Sequence, residues 1–203
     1  ADRGGARDRR REMIDYTLDT AAKVQRVFPY AKSDDIKRNL PCVIEALNNA
    51  GIGTRSMLLM ALGTIAAETN GFKPISEYQS KYNTEPGGKP FALYDLRRDL
   101  GNGAPGDGAL YKGRGFVQLT GKFNYEKFGR QLGLDLINNP DLANDRDVAA
   151  RILAAFLASQ KVRITNALDA GDLKQARKLV NGGSHGLDAF TKAYKLADSL
   201  LPK

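Results

Sequence analysis

Tryptophan is absent from the 203 residues, and cysteine and histidine occur once each. No apolar run approaches the roughly 18 residues of a membrane span; the densest, Met57 to Ala67, is broken by Gly63 and Thr64. Each scarcity excludes something. The single cysteine, Cys42, closes no internal disulfide, which rules out a stapled secreted scaffold but leaves export without disulfides open. The single histidine, His185, removes every site that needs two, including the HExxH zinc proteases. Acidic residues are outnumbered, 23 against 31 Lys and Arg, giving a formal charge of +8. A basic protein is drawn to polyanions such as nucleic acid, anionic lipid or acidic wall polymers.

What is present reads as an ordinary globular chain: 42% hydrophobic and 27% charged. The length suits one or two domains and buries roughly 70% of the unfolded surface without a staple. Residues 1–30 read as an arm and first helix, and 31–203 as the main domain. The arm holds Arg3, Arg7, Arg9, Arg10 and Arg11 against Asp2, Asp8 and Glu12, a mixed, solvated segment rather than a pure basic block. Helical spacing runs from Met13 to Phe28 and stops at Pro29. Asn39 with Pro41 predicts a second helix start, with Gly51 as its stop. Thr54 or Ser56 opens a helix through Ile65 that is apolar almost all round, hence central and buried.

Residues 70 to 112 are rich in Gly, Pro, Asn and Asp, and an irregular region of that length is more often functional than idle. Asn124 to Leu132 predicts a helix. Asn144 or Asp145 caps a long one with Val148, Ile152, Leu153, Phe156 and Leu157 on its apolar side. Leu173 to Val180 and Leu187 to Leu201 predict two more. The fold class is mainly α, with a long irregular loop and small β insertion after the central helix.

Some motifs fail on context. Gly101 to Gly106 matches GxGxxG but lies in a Pro/Gly-rich loop with no strand before it. Gly115 to Lys122 has one residue too many for a phosphate loop, and Phe123 stands where Ser or Thr must hold magnesium. Cys42 with His185 suggests a thiol pair, but a lone Cys on an apolar helix face is core.

One constellation survives. Glu68 ends the most apolar helix, where desolvation and the negative end of the helix dipole both disfavour the charged form, as a general acid requires. The plainer reading is an exposed carboxylate where the helix frays. Glu77 follows off the helix, and two carboxylates are the minimum equipment for glycoside hydrolysis. Glu85 and Asp107 compete for the second role, and spacing does not choose. Gly113 and Gly115 permit close backbone approach beside Arg114, Gln118 and Thr120. Asn181 opens a glycine turn between two helices.

Together the motifs Ala66-Ala-Glu68-Thr-Asn-Gly-Phe, Gly113-Arg-Gly-Phe-Val-Gln-Leu-Thr120, Asn138-Asn-Pro-Asp-Leu and Val180-Asn-Gly-Gly resemble glycoside hydrolase family 19, the chitinase and phage-endolysin family, over roughly Leu40 to Leu200. The resemblance implies a lysozyme-like helical domain. Glu68 matches its general acid, Glu77 the second carboxylate that activates water, and Thr120 the hydroxyl that helps hold that water. Gln118, Asn124 and Asn181 match sugar-binding positions, and Tyr111 and Arg114 lie in the same motif as substrate-binding candidates. Two departures stand out: Ala67 precedes the acid where the family often has His, and the family arginine beyond the Asn-Gly-Gly turn is missing. Phe190 falls near its place, with Lys192 as a stand-in.

The resemblance further implies inversion at a β-1,4 bond to an N-acetylated amino sugar, the two carboxyl groups about 6.5–9.5 Å apart, with no metal or cofactor. Peptidoglycan is favoured over chitin by the likeness to compact phage and bacterial members, by the positive charge and by the absence of Trp platforms. The expectation is then a monomer acting at the bacterial cell wall, secreted or released by phage lysis, with a polysaccharide partner, no nucleic acid and no membrane span. A sugar-binding module, a nucleic-acid binder and a lytic transglycosylase are the rival readings.

Overall fold

Thr54 starts the element on which much of the structure rests. Its hydroxyl accepts from the Met57 N–H at 3.3 Å and so satisfies one orphan donor of the helix that follows. The computed structural model describes residues 13–69, 71–183 and 185–203. The arginine-rich stretch 1–12 lies outside the described residues. Those described form two compact units, one of residues up to Lys73 with Leu153–Lys203, the other Pro74–Ile152. No helix among them is long and apolar enough to cross a membrane.

The first unit holds α1 (Leu18–Val27), α2 (Ser33–Asn49) and α3 (Arg55–Glu68). The helical spacing from Met13 overstates α1. Its start is set by Thr17, whose hydroxyl accepts from Thr20 N–H at 3.0 Å. The backbone before it is tied down instead: Ile14 N–H donates to Asn48 Oδ1 and Asn48 Nδ2 donates back to the Ile14 carbonyl. The expected helix start at Asn39 and Pro41 is corrected, because α2 runs through both. Pro41 removes only its bond to Lys37, an exposed residue whose carbonyl water can satisfy. Asn39 is buried, and its Nδ2 donates to the Phe72 carbonyl at 2.8 Å, fixing the chain where it leaves α3. Phe72 there holds φ +50° and sets its ring edge-on to Phe28 at 4.8 Å. Cys42 is half-buried rather than core, its thiol 3.5 Å from the Arg38 carbonyl.

Residues Met57 to Ile65 of α3 are buried on every side. The long helix α6 (Arg146–Ser159) is capped by Asp145, whose Oδ1 accepts from the Asp147 and Val148 N–H groups. Its second half belongs to this unit, followed by α7 (Lys161–Asp169), α8 (Leu173–Asn181) and α9 (Leu187–Leu200). The sequence reading has no counterpart for α7. Only Ile164 and Ala167 on it are buried, so its apolar period is too sparse to read.

α9 packs along α3 at a separation set by Gly63. A Cβ there would stand 2.7 Å from a Phe190 ring carbon. Gly63→Ala is therefore expected to lose about 1–2 kcal/mol net, overpacking outweighing the better helix propensity. The check is Tm, expected to fall by a few degrees for a chain of this size. An unchanged Tm would mean that α9 slides aside at no cost.

The second unit is built on loops pinned by side chains. β1 (Ile75–Ser76) pairs antiparallel with β2 (Arg114–Gly115), Ile75 opposite Gly115 and Ser76 opposite Arg114. Between them lie two 3-10 turns (Ala92–Tyr94 and Arg98–Leu100) and the single-turn α4 (Asp107–Leu110). Then come α5 (Lys122–Leu132), a 3-10 turn (Pro140–Asn144) and the first half of α6. Gly115 at φ +83° passes so close to the Ala143 carbonyl that a Cβ would meet it at 2.8 Å. Asn144 stitches the turn to both strands, accepting from Gly115 N–H and donating to Ser76 Oγ.

Candidate active site

The two carboxylates singled out in the sequence belong to different units, and each is built by its own surroundings. Glu68 is the last residue of α3, its side chain 14% exposed. The sequence reading surrounds it with apolar groups and the helix dipole alone. The structure adds a buried cation. Arg177 on α8, its side chain 0% exposed, donates from Nη2 to Glu68 Oε1. Nη2 also donates to the His185 carbonyl at 3.1 Å, and Nε to the same oxygen at 3.2 Å. Nη1 is buried without a hydrogen-bond partner among the described residues.

Packing brings these groups together. Gly186, at φ +68°, lies against Ala67, where a Cβ would stand 2.9 Å from the Ala67 Cβ. That close approach sets the turn before α9 beside the end of α3 and supplies the His185 carbonyl. Phe190 then faces the guanidinium at 5.9 Å, within cation–π range. The suggested stand-in, Lys192, is corrected: it is exposed and lines a groove with Arg26, Phe28 and Ala66. The cation on Glu68 comes from before the Asn-Gly-Gly turn. Its one sequence signal is position: Leu173, Ala176, Arg177 and Val180 share one helical face, and Arg177 is the charged member of it.

Glu77 sits one residue beyond β1, its N–H donating to the Gly113 carbonyl at 2.7 Å. Its Oε1 accepts from Asn83 Nδ2 at 2.9 Å and from the Tyr94 hydroxyl at 2.8 Å, and its Oε2 from Gly113 N–H at 3.1 Å. Tyr94 has its pKa pushed up to about 12, by burial first and then by the bond to Glu77 and that group's charge. The hydroxyl therefore stays a donor. The rival carboxylates are placed differently. Glu85 is exposed at a turn, and Asp107 caps its own loop by accepting from Gly103 and Ala104 N–H.

Gly113 marks where side chains converge. A Cβ on it would stand 2.9 Å from Gln118 Oε1, 3.1 Å from Glu77 Oε2 and 3.2 Å from Thr120 Oγ1. Gln118 reaches this point from a backbone at φ +51°, held in a tight reversal by paired bonds between Arg114 and Leu119. Its Nε2 donates to the Ile75 and Gly115 carbonyls, leaving Oε1 facing Gly113. Thr120 Oγ1 donates to the Gln118 carbonyl, so its lone pairs stay available to accept.

The remaining candidates divide. Asn124 is half-buried and donates to the Thr120 carbonyl at 2.9 Å. Asn181, in the first unit, closes its own turn, accepting from Gly183 N–H and donating to the His185 carbonyl. Tyr111 and Arg114 lie beneath the loop. Tyr111 is 5% exposed, its hydroxyl on the Ile137 carbonyl. Arg114 is 4% exposed and spends its guanidinium on Asp141, the Leu110 and Lys112 carbonyls and Tyr125. Burial pushes the Tyr125 pKa up to about 12 against the lowering influence of Arg114. Among the described residues no group of three or more His, Cys, Asp or Glu is placed to hold a metal.

Both the sequence and the fold have counterparts among known proteins. The family model for glycoside hydrolase family 19, described as chitinase class I, matches residues 75–166, a stretch that holds Glu77, Gln118, Thr120 and Asn124 but begins after Glu68. A glycosyl hydrolase family 19 domain-containing protein of Haemophilus influenzae is 25% identical over 191 residues, covering 84% of this chain and 90% of that one. Chitinase 11 of Oryza sativa is 58% identical over only 40 residues, 20% of this chain and 16% of its own length. The crystal structure of a bacterial family 19 chitinase superposes with a TM-score of 0.63 at 21% identity, covering 89% of this chain and 95% of that one. The mainly helical, lysozyme-like fold and the matched sequence coincide: residues 75–166 match the glycoside hydrolase family 19 model, and the fold is that of a bacterial family 19 chitinase.

Proposed function

We propose that this glycoside hydrolase cleaves β-1,4 bonds to N-acetylated amino sugars in peptidoglycan, with inversion at the anomeric carbon. Glu68 is the general acid: it passes a proton to the leaving oxygen as the glycosidic bond breaks. Glu77 is the general base: it takes a proton from water as the water oxygen bonds to the anomeric carbon from the opposite face. The observation that carries this reading is the convergence of Glu77 Oε2, Thr120 Oγ1 and Gln118 Oε1 beside Gly113. A carboxylate oxygen, a hydroxyl and an amide oxygen suit one water: the first removes a proton, and the others orient the molecule. Asn124 and Asn181 serve the sugar chain.

Peptidoglycan is favoured by the charge of +8, which raises encounter rates with an anionic wall. The chitin reading is supported by relatives and a solved neighbour that are themselves called chitinases. The test is mass spectrometry of products from purified peptidoglycan and from chitin oligomers in heavy-oxygen water. Muropeptides with a labelled new reducing end are expected, and proton NMR during turnover is expected to show that end born in the α configuration. Cleavage of chitin oligomers alone would replace the substrate. An anhydro sugar without label would replace the reaction by transglycosylation.

A further inference from the structure

Glu77 has two oxygens, and the surrounding loop treats them differently. Oε1 accepts twice, from Asn83 and Tyr94, which uses both of its in-plane lone pairs. Oε2 accepts once, from Gly113 N–H, and keeps one lone pair on the side of Gln118 and Thr120.

Asn83 is 0% exposed and its amide is saturated. Nδ2 donates to Glu77 Oε1 and to the Tyr78 carbonyl, both at 2.9 Å. Oδ1 accepts from Ser80 N–H at 2.9 Å and from Thr84 Oγ1 at 2.8 Å. A reversed amide would set oxygen against two acceptors, so these partners fix its orientation. The segment from Glu77 to Thr84 is thus wound about one side chain. Tyr94 reaches Glu77 from the next turn, its own ring covered by Arg97 at 5.8 Å.

We infer that Asn83 and Tyr94 are positioning residues that lock Glu77 through Oε1, so that Oε2 alone receives the proton of the attacking water. The inference rests on the reading of Glu77 as the base. Water gives one proton to Oε2 as its oxygen bonds to the anomeric carbon, and the leaving oxygen takes its proton from Glu68. Without the lock the carboxylate rotates, and the free lone pair leaves the line between Thr120 and Gln118.

The test compares wild type, Tyr94→Phe, Asn83→Asp, Glu77→Gly and Tyr94→Phe/Glu77→Gly on chitin hexasaccharide and on solubilised peptidoglycan, with and without sodium azide. Azide is a nucleophile with no proton to remove, so it can replace the base and its water in Glu77→Gly. Tyr94→Phe is expected to lower kcat about tenfold, the worth of one hydrogen bond to a charged group, with KM within about twofold. Asn83→Asp, which sets a carboxylate against Oε1, is expected to lower it further. The azide rate of Glu77→Gly is expected to be the same with Tyr94 or Phe. Water-dependent turnover surviving in Glu77→Gly removes Glu77 as base, and the inference with it, as does silence of the wild type on both probes. Loss of that turnover with wild-type kcat in Tyr94→Phe overturns the inference alone. A slower azide reaction on adding Tyr94→Phe overturns it too, because it would show a scaffold effect. Should azide restore nothing, a raised KM with kcat kept in Tyr94→Phe is the overturning result, and a lowered kcat with KM kept the supporting one.

Discussion

Glu68→Gln is expected to lower turnover by about 10²–10⁴, the usual worth of a general acid, and also to weaken the fold. The second effect follows from Arg177, whose guanidinium has no exposed surface and would keep its charge with no carboxylate beside it. Removing one partner of a buried ion pair costs about 3–5 kcal/mol. The glutamine carbonyl still accepts a hydrogen bond, so about 2–4 kcal/mol is the expected loss by urea denaturation. The double variant Glu68→Gln/Arg177→Met separates the two effects. It is expected to regain much of the stability and none of the activity, since methionine fills the arginine's space beside Phe190 without burying a charge. Near-normal turnover in Glu68→Gln would remove this carboxylate from the reaction. Unchanged stability would mean that water reaches the guanidinium and the pair contributes nothing.

The second large effect is expected at Arg114. Its contact with Asp141 is of little consequence, because Asp141 is 88% exposed and such pairs contribute about 0–1 kcal/mol. The other end of the guanidinium matters more. Nη1 donates to the Leu110 carbonyl at 2.8 Å and to the Tyr125 hydroxyl at 2.9 Å, and Tyr125 in turn donates to the Lys112 carbonyl at 2.7 Å. Arg114→Met leaves the buried Tyr125 hydroxyl and the half-buried Leu110 carbonyl short of a donor, at a cost of about 2–4 kcal/mol. Arg114→Lys is expected to recover little, since one ammonium cannot bridge the Asp141 side and the Leu110 side together. Asp141→Asn is expected to lose under about 1 kcal/mol. Urea denaturation of the three variants checks the ranking. A larger loss for Asp141→Asn than for Arg114→Met would reverse the assignment. Because Gly113 lies next to Arg114 and donates to Glu77, kcat is expected to fall with stability in Arg114→Met.

The helices were legible where a cap, an apolar period and a stop coincide. Thr54 and the run from Met57 to Ile65 supply the first two, Gly71 in the motif after Glu68 supplies the third, and α3 ends at Glu68 as expected. Asn39 and Pro41 misled because the same residues that begin helices also serve inside them, Asn39 as a tertiary donor to Phe72 and Pro41 over the carbonyl of the exposed Lys37. The loop motif from Gly113 to Thr120 was legible as a place of close backbone approach, and the oxygens of Glu77, Gln118 and Thr120 do crowd Gly113. Asn83 and Tyr94 were not legible. They lie in an irregular segment with no periodicity, and their partner is defined only when the segment folds on itself. Arg177 was hidden differently, as one basic residue among several on a short polar helix whose partner lies 109 positions away.

That separation has a consequence for synthesis on the ribosome. Pro74–Ile152 is one continuous stretch, whereas the first unit needs Leu153–Lys203 in addition to the residues before Pro74. A nascent chain that has passed Ile152 holds Glu77 with all three of its donors already translated, but it lacks the arginine that neutralises Glu68. The proposed base is therefore assembled vectorially from local parts, and the proposed acid only after α8 has emerged. Until then the growing polypeptide carries half of its proton-transfer equipment, a delay written into the order of its codons.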